Sequence, residues 1–145
     1  MSLRLLNSDQ TKATPIALFN EDIVPQGQLH IELDDIGFVM GTTISERLRT
    51  FGGQLFQAEE HFSRLALSLE SVGLASEELL SRVQAAAVDI VAHNSGLCGT
   101  SSDLGLVVLI TPGRAATNVP TVLVYSSVLP FSEMHSWYSD GVALQ

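Results

Sequence analysis

The chain has 145 residues, of which 46% are apolar and only 16% charged, and its formal net charge is -9. That length suits one compact domain of about 100 to 150 residues. Its seven Lys and Arg residues are scattered, which excludes nucleic acid and anionic membrane as partners, because phosphate neutralisation needs clustered cations.

A single cysteine, Cys98, cannot close an intramolecular disulfide, and the opening stretch Met1 to Pro15 lacks the long apolar core of a secretory leader. No apolar run approaches the roughly 20 residues that cross a bilayer. A reducing, cytoplasmic setting is the expectation.

After a polar lead over residues 1–12, Ile16 to Phe19 is a short apolar run closed by Asn20-Glu21-Asp22, and Ile23-Val24 resumes at once, which reads as a β-hairpin. Leu29, Ile31 and Leu33 alternate with polar neighbours and suggest a further short strand. Thr42 to Phe51 is rich in β-branched residues, with Ile44, Glu46 and Leu48 on one face and Ser45, Arg47 and Arg49 on the other. Gly52-Gly53 turns the chain into Gln54-Leu55-Phe56.

Phe62, Leu65, Ala66, Leu69 and Val72 fall at helical spacing between Ala58 and Val72, with Gly73 as the stop. Ser76, followed by Glu77 and Glu78, opens a second helix that runs to about His93 on a stripe of Leu79, Val83, Ala87 and Ile90. Leu104 to Ile110 is continuously apolar, fits a strand covered on both faces, and ends at Pro112-Gly113. Thr121 to Leu129 is a last strand rich in Val. Strands, then two helices, then strands predict an α+β domain over residues 13–130, a mostly antiparallel sheet with two principal helices packed on it.

Several chemistries lack their residues. There is no Gly-x-Gly-x-x-Gly, no P-loop, no Gly-x-Ser-x-Gly, and no His or Cys pair at metal-ligand spacing, so no metal site is expected. His30, His61, His93 and His135 are isolated along the chain, and none is expected to act as ligand or base. Glu46 shares its strand face with Ile44 and Leu48, so its charge needs a partner and its role reads as structural. Arg64 reads, on spacing alone, as a solvated helix residue with Glu60 one turn earlier to pair with it.

The stretch from Asp35 to Leu69, DIGFVMGTTISERLRTFGGQLFQAEEHFSRLALSL, resembles the signature of the class IV, pyridoxal-phosphate-dependent aminotransferases and their lyase relatives. In that pattern an aspartate and glycine lead into an aromatic-Gly-x-x-aliphatic-aromatic-Glu-x-x-Arg strand. A Gly turn follows, and then a helix beginning His-x-x-Arg-Leu. The matching residues are Asp35, Gly37, Gly41, Ile44, Glu46, Arg49, Gly53, Phe56, His61, Arg64, Leu65 and Ser68. Leu106 to Gly113 is similar to the family's apolar strand ending in Thr-x-Gly.

The resemblance implies the N-terminal small domain of the D-amino acid aminotransferase-like fold, covering one side of a pyridoxal phosphate site. It assigns the cofactor phosphate to Arg64, whose planar guanidinium suits bidentate recognition, and turns Met40, Ser45, Arg47 and Arg49 toward an amino acid or 2-oxo acid substrate, with Arg114 as a weaker candidate; Arg47 and Arg49 read equally well as plain surface residues. The family has aromatic residues where this chain has Met40 and Ser45, and a small residue where it has Arg47. Its members handle branched-chain amino acids, D-amino acids and aminodeoxychorismate, and they are dimers, so self-association is expected.

Transamination runs through a lysine amine, and the only lysine here is Lys12, in the polar lead. In the family that lysine follows this domain, so residues 131–145 are expected to begin a connection to a C-terminal domain, with the end at Gly141 to Gln145 reading as a cut. The chain is then the N-terminal part of an aminotransferase, inactive alone. The alternative is a non-catalytic binding or assembly domain that kept the fold.

Overall fold

The computed structural model describes residues 14–97 and 103–142. The N-terminal hairpin is present as β1 (Ile16–Phe19) and β2 (Asp22–Pro25). Asn20 takes a left-handed φ of 57° at its turn, a conformation that asparagine tolerates. β3 (Ile44–Phe51) returns as β4 (Gln54–Leu55) through Gly52 and Gly53, at φ 60° and 76°. Asp103 fastens that turn by accepting from the amide of Gly53 at 2.8 Å and the Thr50 hydroxyl at 2.9 Å.

Two helices follow, α2 (Ala58–Ser71) and α3 (Glu77–Ser95), the second capped by Ser76 Oγ, which accepts from the Leu79 amide at 3.3 Å. A five-residue helix, α1 (Ile36–Met40), precedes them, and β5 (Leu104–Thr111), β6 (Thr121–Val128) and α4 (Phe131–Asp140) complete the chain.

The strands form one antiparallel sheet in the order β2-β1-β6-β5-β3-β4. The α+β architecture read from the sequence is therefore the observed one. Alternation assigns each strand residue to a face: Leu18, Ile23, Leu48, Leu106, Val108, Ile110 and Val124 point toward α2 and α3 and meet Leu65, Leu69, Val83, Ala87 and Ile90 in one core. Each such side chain contributes about 1.5 to 3 kcal/mol by leaving water. α2 lies over β3, while α3 crosses β1, β5 and β6. Asn94, buried on α3, completes this layer: its Oδ1 accepts from the Ile16 amide at 2.8 Å and its Nδ2 donates to the Ile16 carbonyl at 2.9 Å.

The sequence expectation fails at residues 29–33, which form no strand. A 3-10 turn at Gln26–Gln28 diverts the chain instead, held where Gln26 Nε2 donates to the Ser126 carbonyl at 3.0 Å. Alternation alone does not make a strand without a neighbouring edge to pair with, and Leu33 is left 81% exposed.

α1 is built by one buried carboxylate. Asp35 caps it, accepting from the Gly37 amide at 2.8 Å, and also accepts from Thr111 Oγ1 at 2.9 Å and Thr121 Oγ1 at 2.6 Å. These bonds outweigh the upward push of burial, the largest single influence, and hold its pKa below the usual carboxylate value. Gly37 lies so close to Thr111 that a β-carbon would run into its side chain, which explains why an aspartate and a glycine stand at this spacing. Asp35→Ala, which strands three donors, should lower unfolding stability by about 3 kcal/mol. Urea titration followed by circular dichroism checks this, and a loss below about 0.5 kcal/mol would contradict the assignment.

Candidate functional site

β3 sends alternate side chains to opposite faces, so Glu46 enters the layer beneath α2 with Leu48 and is only 5% exposed. A carboxylate there needs donors within reach. α2 supplies two, because its buried stripe of Phe62, Leu65 and Leu69 leaves His61 and Arg64, three residues apart, together on the side above β3.

Arg64 Nε donates to Glu46 Oε2 at 2.9 Å, and Arg64 Nη2 donates to Oε1. His61 Nδ1 lies 2.8 Å from the same Oε1, which also accepts from the Arg47 amide at 3.1 Å. The Arg64 hydrogen bonds, opposed by desolvation and helped by His61 and the Arg47 amide, hold Glu46 at a pKa of about 2. In turn Glu46 raises the pKa of Arg64 still further. The Arg64 side chain remains 64% exposed, and its Nη1 has no protein acceptor among the described residues.

Two sequence expectations change here. Arg64 pairs with Glu46 across the layers and not with Glu60 on its own helix, because a buried carboxylate offering both oxygens outcompetes one in water. His61 is not isolated. The signal that points to it is the His-x-x-Arg spacing, which places both residues on one side of a helix above the strand that carries Glu46.

The remaining candidates lie elsewhere. Ser45, Arg47 and Arg49 occupy the opposite sheet face, where the register sets them beside Leu109, Val107 and Gly105. Arg47 is exposed there. Arg49 is engaged, its guanidinium 5.4 Å from the Phe51 ring centre and 5.7 Å from that of Phe131, while Nε donates to the Thr50 carbonyl at 3.2 Å. Met40, 74% exposed, sits at the end of α1. Arg114 follows β5 and pairs with Asp34, Nε to Oδ2 at 2.9 Å. Arg64 thus stands on the helix-facing side of β3 and Ser45, Arg47 and Arg49 on its other side, with only the two-residue β4 between β3 and the sheet edge. Lys12 and Cys98 lie outside the described residues. Among those described, no group of three acidic, His or Cys side chains is placed to hold a metal ion, and no helix is long and apolar enough to cross a membrane.

No protein-family model matches the chain. In sequence it is 32% identical over 122 residues to the D-alanine aminotransferase of Staphylococcus haemolyticus and 29% identical over 122 residues to that of Staphylococcus epidermidis, covering 80% of this chain and 40% of each relative. The chain therefore spans about 40% of the length of the curated relatives it matches. In structure it is similar to a hypothetical aminotransferase from Mycobacterium tuberculosis in its alpha-ketoglutarate and PMP bound form, with a TM-score of 0.72 at 25% identity over 88% of this chain and 44% of that one. A fold IV transaminase from Curtobacterium pusillum superposes with a TM-score of 0.72 at 19% identity, over 81% of this chain and 44% of that one. The Escherichia coli branched-chain amino acid aminotransferase gives 0.66 at 17% identity, over 80% and 40%.

Glu46 titrates at about 2 in the folded chain against an ordinary 4.5. A depressed carboxylate contributes stability that is present above its unfolded pKa and is lost as pH falls toward the folded one. Between pH 5 and pH 2 this group should remove about 2 to 3 kcal/mol of unfolding stability. Denaturant midpoints across that range should fall less steeply in Glu46→Gln; identical acid limbs in both proteins would refute the assignment.

Proposed function

We propose, from the match to the N-terminal small domain of class IV aminotransferases in sequence and fold, that this chain provides one side of a pyridoxal phosphate site in an enzyme that moves an amino group between an amino acid and a 2-oxo acid. Arg64 is the residue that meets the cofactor phosphate. The observation that carries this is the divided use of its guanidinium: Nε and Nη2 are fixed by a buried, ionised carboxylate, while Nη1 has no protein acceptor among the described residues and the side chain is largely exposed.

The donor set fits such a group. A phosphate needs donors that stay charged, and an arginine anchored from behind loses little further rotamer freedom on binding. When bound, pyridoxal phosphate supplies the electron sink for removing the amino acid's α-proton. Arg64 orients the phosphate end, and Glu46 keeps Arg64 in place. The lysine that anchors the cofactor belongs to the part of such enzymes that the match does not cover.

On the opposite sheet face, exposed Arg47 with Ser45 faces the substrate and offers its guanidinium to a carboxylate. Met40 shapes the apolar part of that site. Arg49 and Arg114 are weaker candidates for the same task, since Phe51 and Phe131 hold the first and Asp34 the second.

Titration of the full chain with pyridoxal phosphate, followed by cofactor absorbance, should show saturable binding that weakens about 10- to 100-fold in Arg64→Ala, the range expected for a charge-assisted hydrogen bond. Borohydride treatment should trap no adduct on Lys12, the single lysine of the chain. Equal binding by wild type and Arg64→Ala, or none by wild type, would overturn the reading.

A further inference from the structure

The contacts around His61 assign its proton. Glu46 is ionised and only accepts, so the imidazole nitrogen 2.8 Å from its Oε1 must carry hydrogen. Arg64 Nη2, 3.1 Å from that same nitrogen, is itself a donor with Glu46 Oε1 as its acceptor. A ring nitrogen that accepted from Arg64 would have to turn a lone pair toward the carboxylate. The arrangement is satisfied in one way: Nδ1–H donates to Glu46, and Nε2 keeps the lone pair.

That second nitrogen has no protein partner among the described residues and is not among the side-chain atoms sealed from solvent without one, on a side chain 21% exposed. A carboxylate behind an imidazole fixes its tautomer and stabilises the cation that forms when the far nitrogen takes a proton. The charged groups facing His61 are few. β3 offers Glu46, while Arg47 and Arg49 leave that strand on its other face. α2 contributes Arg64, with Glu59 and Glu60 in its first turn. None of the charged residues of α3, namely Glu77, Glu78, Arg82 and Asp89, has a hydrogen bond or ion pair to His61.

We infer that Glu46 positions His61 so that its Nε2 takes up a proton from solvent when a phosphate dianion docks on Arg64, making His61 a second, proton-dependent donor to that anion. This rests on Arg64 being the phosphate-binding residue. The balance is simple: one proton moves from solvent to Nε2, and the cluster gains the positive charge that a dianion requires beyond the single charge of Arg64, already offset by Glu46.

Two readouts test it on the full chain. Long-range proton–nitrogen spectra in the absence of ligand should show hydrogen on His61 Nδ1, and Glu46→Gln should shift it toward the Nε2–H form. Calorimetric titration with pyridoxal phosphate in buffers of different ionisation enthalpy should then show net uptake, between zero and one proton, in wild type and none in His61→Gln. An Nε2–H tautomer in wild type overturns the inference whatever binds. Binding that depends on Arg64 without proton uptake overturns it while leaving the functional reading intact. Absence of binding in wild type overturns both, even where the tautomer is as assigned.

Discussion

A carboxylate sealed beneath a helix must find its neutralising charge locally, and that constraint at Glu46 organises much of this domain. Its two oxygens collect two donors of Arg64, His61, and a backbone amide. With those contacts made, α2 cannot turn about its axis or slide along β3 without stranding a buried charge, which is strongly unfavourable. The apolar stripe of Phe62, Leu65 and Leu69 brings the helix to the sheet, and the ion pair selects the rotation at which it stays. Asp35 exerts a similar hold at the other end of the strands, gathering donors from α1, β5 and β6 around one buried carboxylate.

The regular elements were legible in the sequence where a single period ran long enough to count. Alternation in β3 already put Glu46 among apolar neighbours, and so foretold that it needs a partner without naming one. The stripe from Phe62 to Leu69 foretold the helix that supplies it. Short or context-dependent elements were not legible. α1 is five residues without a periodic face, and its existence depends on Asp35 meeting hydroxyls some 76 and 86 positions away. Leu29, Ile31 and Leu33 carried the alternation of a strand and lacked a partner edge. In the candidate site, Arg64 was found through a resemblance, and its structural partner was misread because local spacing favoured Glu60. His61 was read as isolated, although it stands in the His-x-x-Arg spacing, because the carboxylate it meets lies on another element.

The sheet also presents two chemically different faces. Its helix-facing side holds the anchored arginine, and its opposite side carries Ser45, Arg47 and Arg49 beside Leu109, Val107 and Gly105. One strand therefore serves two chemistries by alternation alone: even-numbered residues of β3 manage an internal charge, and odd-numbered ones present cations outward. Arg49 couples this outer face to α4 through its contacts with Phe51 and Phe131. The orientation of α4 is thereby tied to the same strand that carries Glu46.

The strand order has a kinetic consequence. β1 pairs with β2 next to it in the chain, but its other edge is filled by β6, so that Leu18 lies opposite Val124. Closing a loop of that length is slow compared with forming a hairpin or a helix. On a ribosome, the first hairpin emerges long before its second neighbour and waits with one edge open. The α2–α3 pair can collapse first, and the sheet is sealed only when residues 121–128 arrive. A domain with this topology spends its early life with an unpaired apolar edge, so rapid capture of β6 governs whether newly made chains reach the native sheet or pair with one another.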